Sequence, residues 1–134
     1  MLHHLRHEDS RSIQLRLAND WMGLNEHLFQ LAELESAKDI RLTYFRKMAE
    51  IFEHKLNDQA SAFVVYQAAL RDDYANQDVA IEIDRLASNL KSYEHLINEY
   101  SNIPCLLEKL DMKAAYALKS LLIQWKSKLN TQKL

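Results

Sequence analysis

One glycine (Gly23) and one proline (Pro104) in 134 residues leave this chain few ways to turn sharply. A sheet protein of this length needs many tight turns. Tight turns draw on glycine for positive φ and on proline for a preset φ. The rest of the chain is rich in Leu, Ala, Lys and Glu, which favour helix. The expectation is an all-α fold of long helices joined by short polar turns. With 48% apolar and 27% charged residues the chain reads as folded and not disordered. Its length suits a single domain spanning 1–134 with a continuous core.

The periodicity of apolar residues places seven helices, at about 9–19, 21–36, 39–56, 59–72, 77–90, 93–102 and 112–129. In the third, Phe45, Met48, Ala49, Phe52 and Leu56 share one stripe. Asp39 is placed to cap its start, where a negative charge suits the helix dipole. Asn19-Asp20, Asn57-Asp58, 72–76 and Lys91-Ser92 supply the turns, and Pro104 interrupts the sixth helix.

The chain also resembles itself. Shifted by 73, residues 41–57 fall on 114–130 without a gap: Phe45 on Leu118, Met48 on Leu121, Phe52 on Trp125, and Lys55-Leu56-Asn57 on Lys128-Leu129-Asn130. Shifted by 72, Trp21 falls on Tyr93, Leu24 on Leu96 and Leu28 on Tyr100. A period of about 72 is two helix hairpins of about 36 residues, the size of a helix-pair repeat.

The run Phe45-x-x-Met48-Ala49-x-x-Phe52, followed by Ala62-x-x-x-Tyr66-x-x-Ala69-Leu70, resembles the tetratricopeptide repeat family, as bacterial members show it. Small residues stand where paired helices touch and large ones fill the gaps. Ala49 to Ala62 is one residue longer than the common spacing, as in members with a longer first turn. Tyr74 replaces the usual proline after the second helix, Ala87 keeps the small residue of the next unit, and Leu122 replaces it in the last. The resemblance covers about 20–130. It implies an α-solenoid of antiparallel hairpins with a closing C-terminal helix, whose first helices line a concave groove for a peptide or partner helix. Carried onto this chain, the inner-face positions are Arg46, Lys47, Glu50, Arg85, Asn89, Lys119 and Ser120. Glu50 stands where a carboxylate-clamping subset has Asn, which argues against recognition of chaperone tails.

Residue chemistry offers little else. His3, His4 and His7 could share one face, but no fourth metal ligand is evident, so no metal is expected. His27, His54 and His95 are expected at the surface. Cys105, the only cysteine, allows no internal disulfide and has no histidine partner fixed by a motif. Glu33 and Glu35 point to different helix faces, and Glu50 with Glu53 reads as a solvated pair. One glycine permits no phosphate loop. No catalytic residue and no cofactor is expected. Trp21, Tyr66, Tyr93 and Trp125 fall on core positions and not on a stacking platform for single strands.

Charge is uneven. Residues 1–112 carry 12 basic and 19 acidic side chains, a net −7, whereas 113–134 carry five lysines and no acid. The acidic body argues against nucleic acid. No apolar run approaches the roughly 20 residues of a membrane span, and the N-terminus lacks the apolar stretch of a signal peptide. The cytoplasm is the expected compartment. The last helix is expected to pack Leu118, Leu121, Leu122 and Trp125 on 93–102, leaving Tyr116 and Ile123 as a second apolar strip. By the repeat logic it is half of a hairpin and needs a cap, a second copy or a partner to cover it. The sequence thus points to a non-catalytic adaptor, scaffold or chaperone-like module that binds a protein partner in its groove. Lys119 and Lys126 would attract acidic residues. The runner-up is a homodimer pairing through 112–129, with RNA binding a distant third.

Overall fold

The computed structural model describes residues 8–102 and 106–133, and its regular structure among them is entirely helical. Eight α-helices follow one another: α1 Ser10–Leu17, α2 Trp21–Leu34, α3 Lys38–Glu50, α4 Gln59–Asp72, α5 Gln77–Leu90, α6 Tyr93–Ser101, α7 Leu106–Lys109 and α8 Met112–Gln132. Seven are the expected helices. The short α7 was not anticipated, and α8 runs three residues further than its apolar stripe. Pro104, Cys105 and the histidines at 3, 4 and 7 lie outside the described residues.

Three connections share one device. Asn19, Asn57 and Lys91 each adopt positive φ, at 57°, 52° and 54°. A left-handed residue after a helix lets the next amides turn back onto its last carbonyls. Asp20 N–H donates to Leu15 O at 2.9 Å, and Ser92 N–H donates to Ala87 O at 2.9 Å. With glycine almost absent, asparagine and lysine fill these positions. The residue after each asparagine then caps the next helix. Asp20 Oδ1 accepts from Gly23 N, and Asp58 Oδ1 accepts from Ser61 N, both at 3.0 Å. Asp9, Asn76 and Asp111 cap α1, α5 and α8 in the same way.

Asp39 does not cap α3. The helix begins one residue earlier, behind Ala37, which makes no side-chain cap bond, and Asp39 sits within the first turn. Its charge still faces the positive end of the dipole. The entry is held instead by Glu35, whose carboxylate accepts from Ala37 N at 3.1 Å, and by Arg41, which donates to the carbonyls of Glu35 and Ser36 at 2.8 and 2.9 Å.

The end of α3 departs from α-geometry. Ile51–Lys55 form a π-turn, with Leu56 N donating to Ile51 O at 3.0 Å. Such a turn holds one residue more than an α-turn.

The chain divides into two compact units, Met1–Ala69 and Leu70–Leu134. In the first, α1 packs on α2 and α2 packs on α3. Leu15, Leu24, Leu28, Ala32, Met48 and Ala49 are buried, as are Ala62, Phe63, Tyr66 and Ala69 of α4. In the second, α6 packs on α8, and Val79, Ile83, Leu86, Leu96, Leu118 and Trp125 are fully buried. Each such side chain contributes roughly 1.5–3 kcal/mol. Tyr74 is buried edge-on against Tyr100, at 6.1 Å between ring centres, and Tyr100 meets Trp125 at 5.8 Å.

One residue, Asp84, ties three helices of the second unit together. Asp84 on α5 accepts from Trp125 Nε1 at 3.0 Å and faces Lys128 Nζ at 3.1 Å, both from α8. Its backbone carbonyl accepts from the Tyr93 hydroxyl of α6 at 3.0 Å. The Lys128 ammonium also lies 5.8 Å from the centre of the Tyr93 ring.

Candidate binding groove

The first unit carries an open groove of about 1300 Å³ between α1, α2 and α3. Each wall follows from helical spacing. Trp21, Leu24, Leu28, Leu31 and Glu35 form one stripe of α2 at i, i+3, i+7, i+10 and i+14. Ile40, Thr43, Tyr44, Lys47, Glu50, Ile51 and Lys55 line the groove from α3 and its π-turn, and Glu8, Asp9, Ser12 and Arg16 line it from the α1 side.

The π-turn sets the last of these positions. In an unbroken α-helix, Lys47, Ile51 and Lys55 would drift about 40° per step around the axis. A turn closed one residue later rotates Lys55 back toward Lys47. Its ammonium thereby comes to 5.0 Å from the centre of the Trp21 ring. The buried amide of Asn25 donates to Met48 O at 3.4 Å, just ahead of the π-turn, and ties α2 to α3 there.

The two ends of the groove differ in charge. Near the α2–α3 connection stand Glu35, Asp9 and Tyr44. Burial pushes the Tyr44 hydroxyl above its usual pKa, and the charges of Glu35 and Asp9 push it the same way, so it stays a neutral donor. Burial would raise Asp9 as well. Hydrogen bonds from the Ser12 side chain, from His27 and from the Ser12 amide outweigh it and hold the carboxyl below its usual value. Asp9 Oδ2 lies 2.5 Å from His27 Nε2, while Oδ1 caps α1. At the other end stand Lys55 and Trp21, with Lys47 and Glu50 one to two turns back on α3. Arg16 pairs with Glu8 at 2.9 Å on the rim.

Of the residues singled out from sequence, Lys47 and Glu50 line this groove and are exposed. Arg46 is half-buried on α3, engaged in an interaction of its own, and is not part of the lining. The others lie in the second unit. Arg85 is exposed on α5 and donates to Glu82 Oε2 from Nη2 at 2.7 Å, with Asn89 one turn on. Lys119 and Lys126 are exposed on α8, and Ser120 is half-buried.

Three expectations change. Trp21 is half-buried on the groove wall, whereas Tyr66, Tyr93 and Trp125 are core. His27 is half-buried against Asp9, unlike the exposed His54 and His95. Glu53 has only 9% of its side chain exposed and is not part of a solvated pair. The α1 and α2 lining lies outside the inner-face positions that the resemblance implies, which fall on α3, α5 and α8. The available signal was the stripe itself, since Trp21, Leu31 and Glu35 extend the apolar spacing of Leu24 and Leu28 past what one neighbouring helix can cover. Among the described residues no group of three or more His, Cys, Asp or Glu side chains is arranged to hold a metal ion. No described helix is long and apolar enough to cross a membrane.

No protein-family model, curated protein or solved structure matches the chain.

Proposed function

We propose that the groove of the Met1–Ala69 unit binds an amphipathic helical segment of another protein, and that the chain acts as a non-catalytic adaptor. The groove itself is the observation that carries this reading. From Ile40 to Lys55 it runs for about 22 Å along α3. A helix about 10 Å across fills about 420 Å³ per turn, so the volume of about 1300 Å³ accommodates about three turns. The leucines of α2 offer an apolar floor, and the rims carry charge of both signs. The polarity of the groove also orients the guest. The positive N-terminal end of a helix dipole matches Asp9 and Glu35, and the negative end matches Lys47 and Lys55.

A photo-reactive residue in place of Tyr44, with another in place of exposed Glu94 on α6 as control, tests this in cells. The expected result is one defined protein adduct at 44, absent at 94, and lost when Lys47→Glu and Lys55→Glu are added. Adducts at 44 that match those at 94, or that survive both charge reversals, overturn the reading.

A further inference from the structure

The outer face of α8 is a second surface, in the other unit and independent of the groove. Met112, Tyr116 and Ile123 are 90%, 75% and 69% exposed. Their spacing, i, i+4 and i+11, keeps them within about 40° on one side of the helix over about 16 Å. The opposite side is occupied, with Leu118, Leu121 and Trp125 buried. Exposed Lys119 and Lys126 flank the ridge on one side and exposed Lys113 on the other. Isolated apolar side chains at a surface need no explanation, but three in line between lysines form a pattern.

We infer that this face docks an acidic amphipathic helix of a partner protein, with the partner's apolar stripe on Met112, Tyr116 and Ile123 and its carboxylates on Lys119 and Lys126. Charge selects this occupant. Residues 113–134 contain no acid. Two copies of α8 laid face to face, in either direction, would therefore set lysine against lysine, which disfavours self-pairing. An anionic lipid surface or a nucleic acid would be attracted by the lysines. Both would also be repelled by residues 70–112 of the same unit, which carry nine acidic and four basic side chains. Three turns of an acidic helix span the ridge.

The test uses the full chain and a fluorescent, roughly 18-residue peptide of Glu, Leu and Ala patterned as an amphipathic helix. The expected result is saturable, salt-sensitive binding, weakened about tenfold by Lys119→Glu with Lys126→Glu. Ile123→Ser should weaken it by a similar factor, and Lys38→Glu on α3 should leave it unchanged. Both substituted regions are exposed, so circular dichroism is expected to show intact folding in every variant. Absence of binding overturns the inference, as does equal binding of the lysine counterpart of the peptide or binding that survives the α8 charge reversals. A concentration-dependent dimer that Ile123→Ser dissolves would show a second copy as the occupant and overturn it too. Preference for phosphatidylserine vesicles or for RNA over the acidic peptide would do the same.

Discussion

At the scale of single residues, the stability of this chain leans on a few polar side chains at helix ends. Lys91 occupies a left-handed position that costs a non-glycine residue about 1–2 kcal/mol. Lys91→Gly is expected to stabilise the protein by up to about 1 kcal/mol, since glycine gives back part of that gain as unfolded-state entropy. Urea denaturation would check this, and an unchanged or lower midpoint would show that Lys91 is not strained. Asparagine tolerates the same conformation better, so Asn19→Gly and Asn57→Gly should shift the midpoint less. Asp58 acts in the opposite sense. Hydrogen bonds from the Ser61 side chain and amide hold its carboxyl below the usual value, ahead of a small opposing effect of burial. Asp58→Ala should cost about 1 kcal/mol. The Asn-Asp pairs were legible as turns in the sequence, because those residue types favour both left-handed backbone and caps. The absence of a cap at Asp39 was not legible. The decisive contacts there, Arg41 to Glu35 and Ser36, depend on where the loop places two carbonyls.

At the scale of elements, the helix boundaries could be read closely from the sequence because apolar spacing, turn residues and caps agree along most of the chain. Three features escaped. The short α7 has too few residues to show a period. The π-turn leaves no trace in composition. The shift of 73 aligns 41–57 with 114–130 without a gap, yet Ile51–Lys55 is a π-turn while 124–128 remains within α8. Met48 and Leu121 are both buried, but Phe45 and Phe52 are half-buried where Leu118 and Trp125 are fully buried. Deleting exposed His54 should convert the π-turn to α-helix by removing the one residue the turn holds in excess, and should leave Lys55 at nearly the same bearing on the helix. The ring-current shift of the Lys55 ε-protons over Trp21 should then persist in the proton NMR spectrum. Loss of that shift would mean that the segment does not close into an α-turn around the deletion. The attachment of α8 can be probed similarly. Trp125→Phe removes a hydrogen bond to the Asp84 carboxylate and should cost about 1.5–3 kcal/mol. Trp125→Ala adds a cavity and should cost about 3–5 kcal/mol. If the two variants unfold at the same urea concentration, the ring's packing contributes nothing beyond its indole donor.

At the scale of the whole molecule, the two units are held by groups that titrate on opposite sides of neutrality. In Met1–Ala69 the carboxyls of Asp9 and Asp58 sit below their usual values. A carboxylate whose folded pKa is depressed adds stability above its ordinary pKa near 3.8, and that stability disappears as pH falls through the folded value. In Leu70–Leu134 the hydroxyls of Tyr74, Tyr93 and Tyr100 are all raised by burial, Tyr100 to about 12. Burial alone would lower Lys128, but its hydrogen bond and charge interaction with Asp84 raise it. A group whose folded pKa is raised adds stability that is complete below its ordinary pKa and lost as pH rises through the folded one. Acid should therefore loosen the first unit through these carboxyls, and alkali between about 10 and 12 should loosen the second. In the first unit the Tyr44 hydroxyl is raised as well; the lead of the second unit on the alkaline limb rests on Tyr100, raised to about 12, and on Lys128. The sequence showed acidic and basic regions but not this division, because the shifts come from burial and from partners such as Ser12, Ser61 and Asp84. Each unit holds one tryptophan, Trp21 in the first and Trp125 in the second. Protein labelled with 5-fluorotryptophan thus gives one fluorine resonance per unit. The Trp21 signal is expected to move first toward its unfolded position as pH falls below about 4, and the Trp125 signal first as pH rises above about 10. If both resonances move together on both limbs, the units unfold as one and the titrating groups do not act locally. If the order is reversed on either limb, the carboxyls or tyrosines named for that limb do not set it.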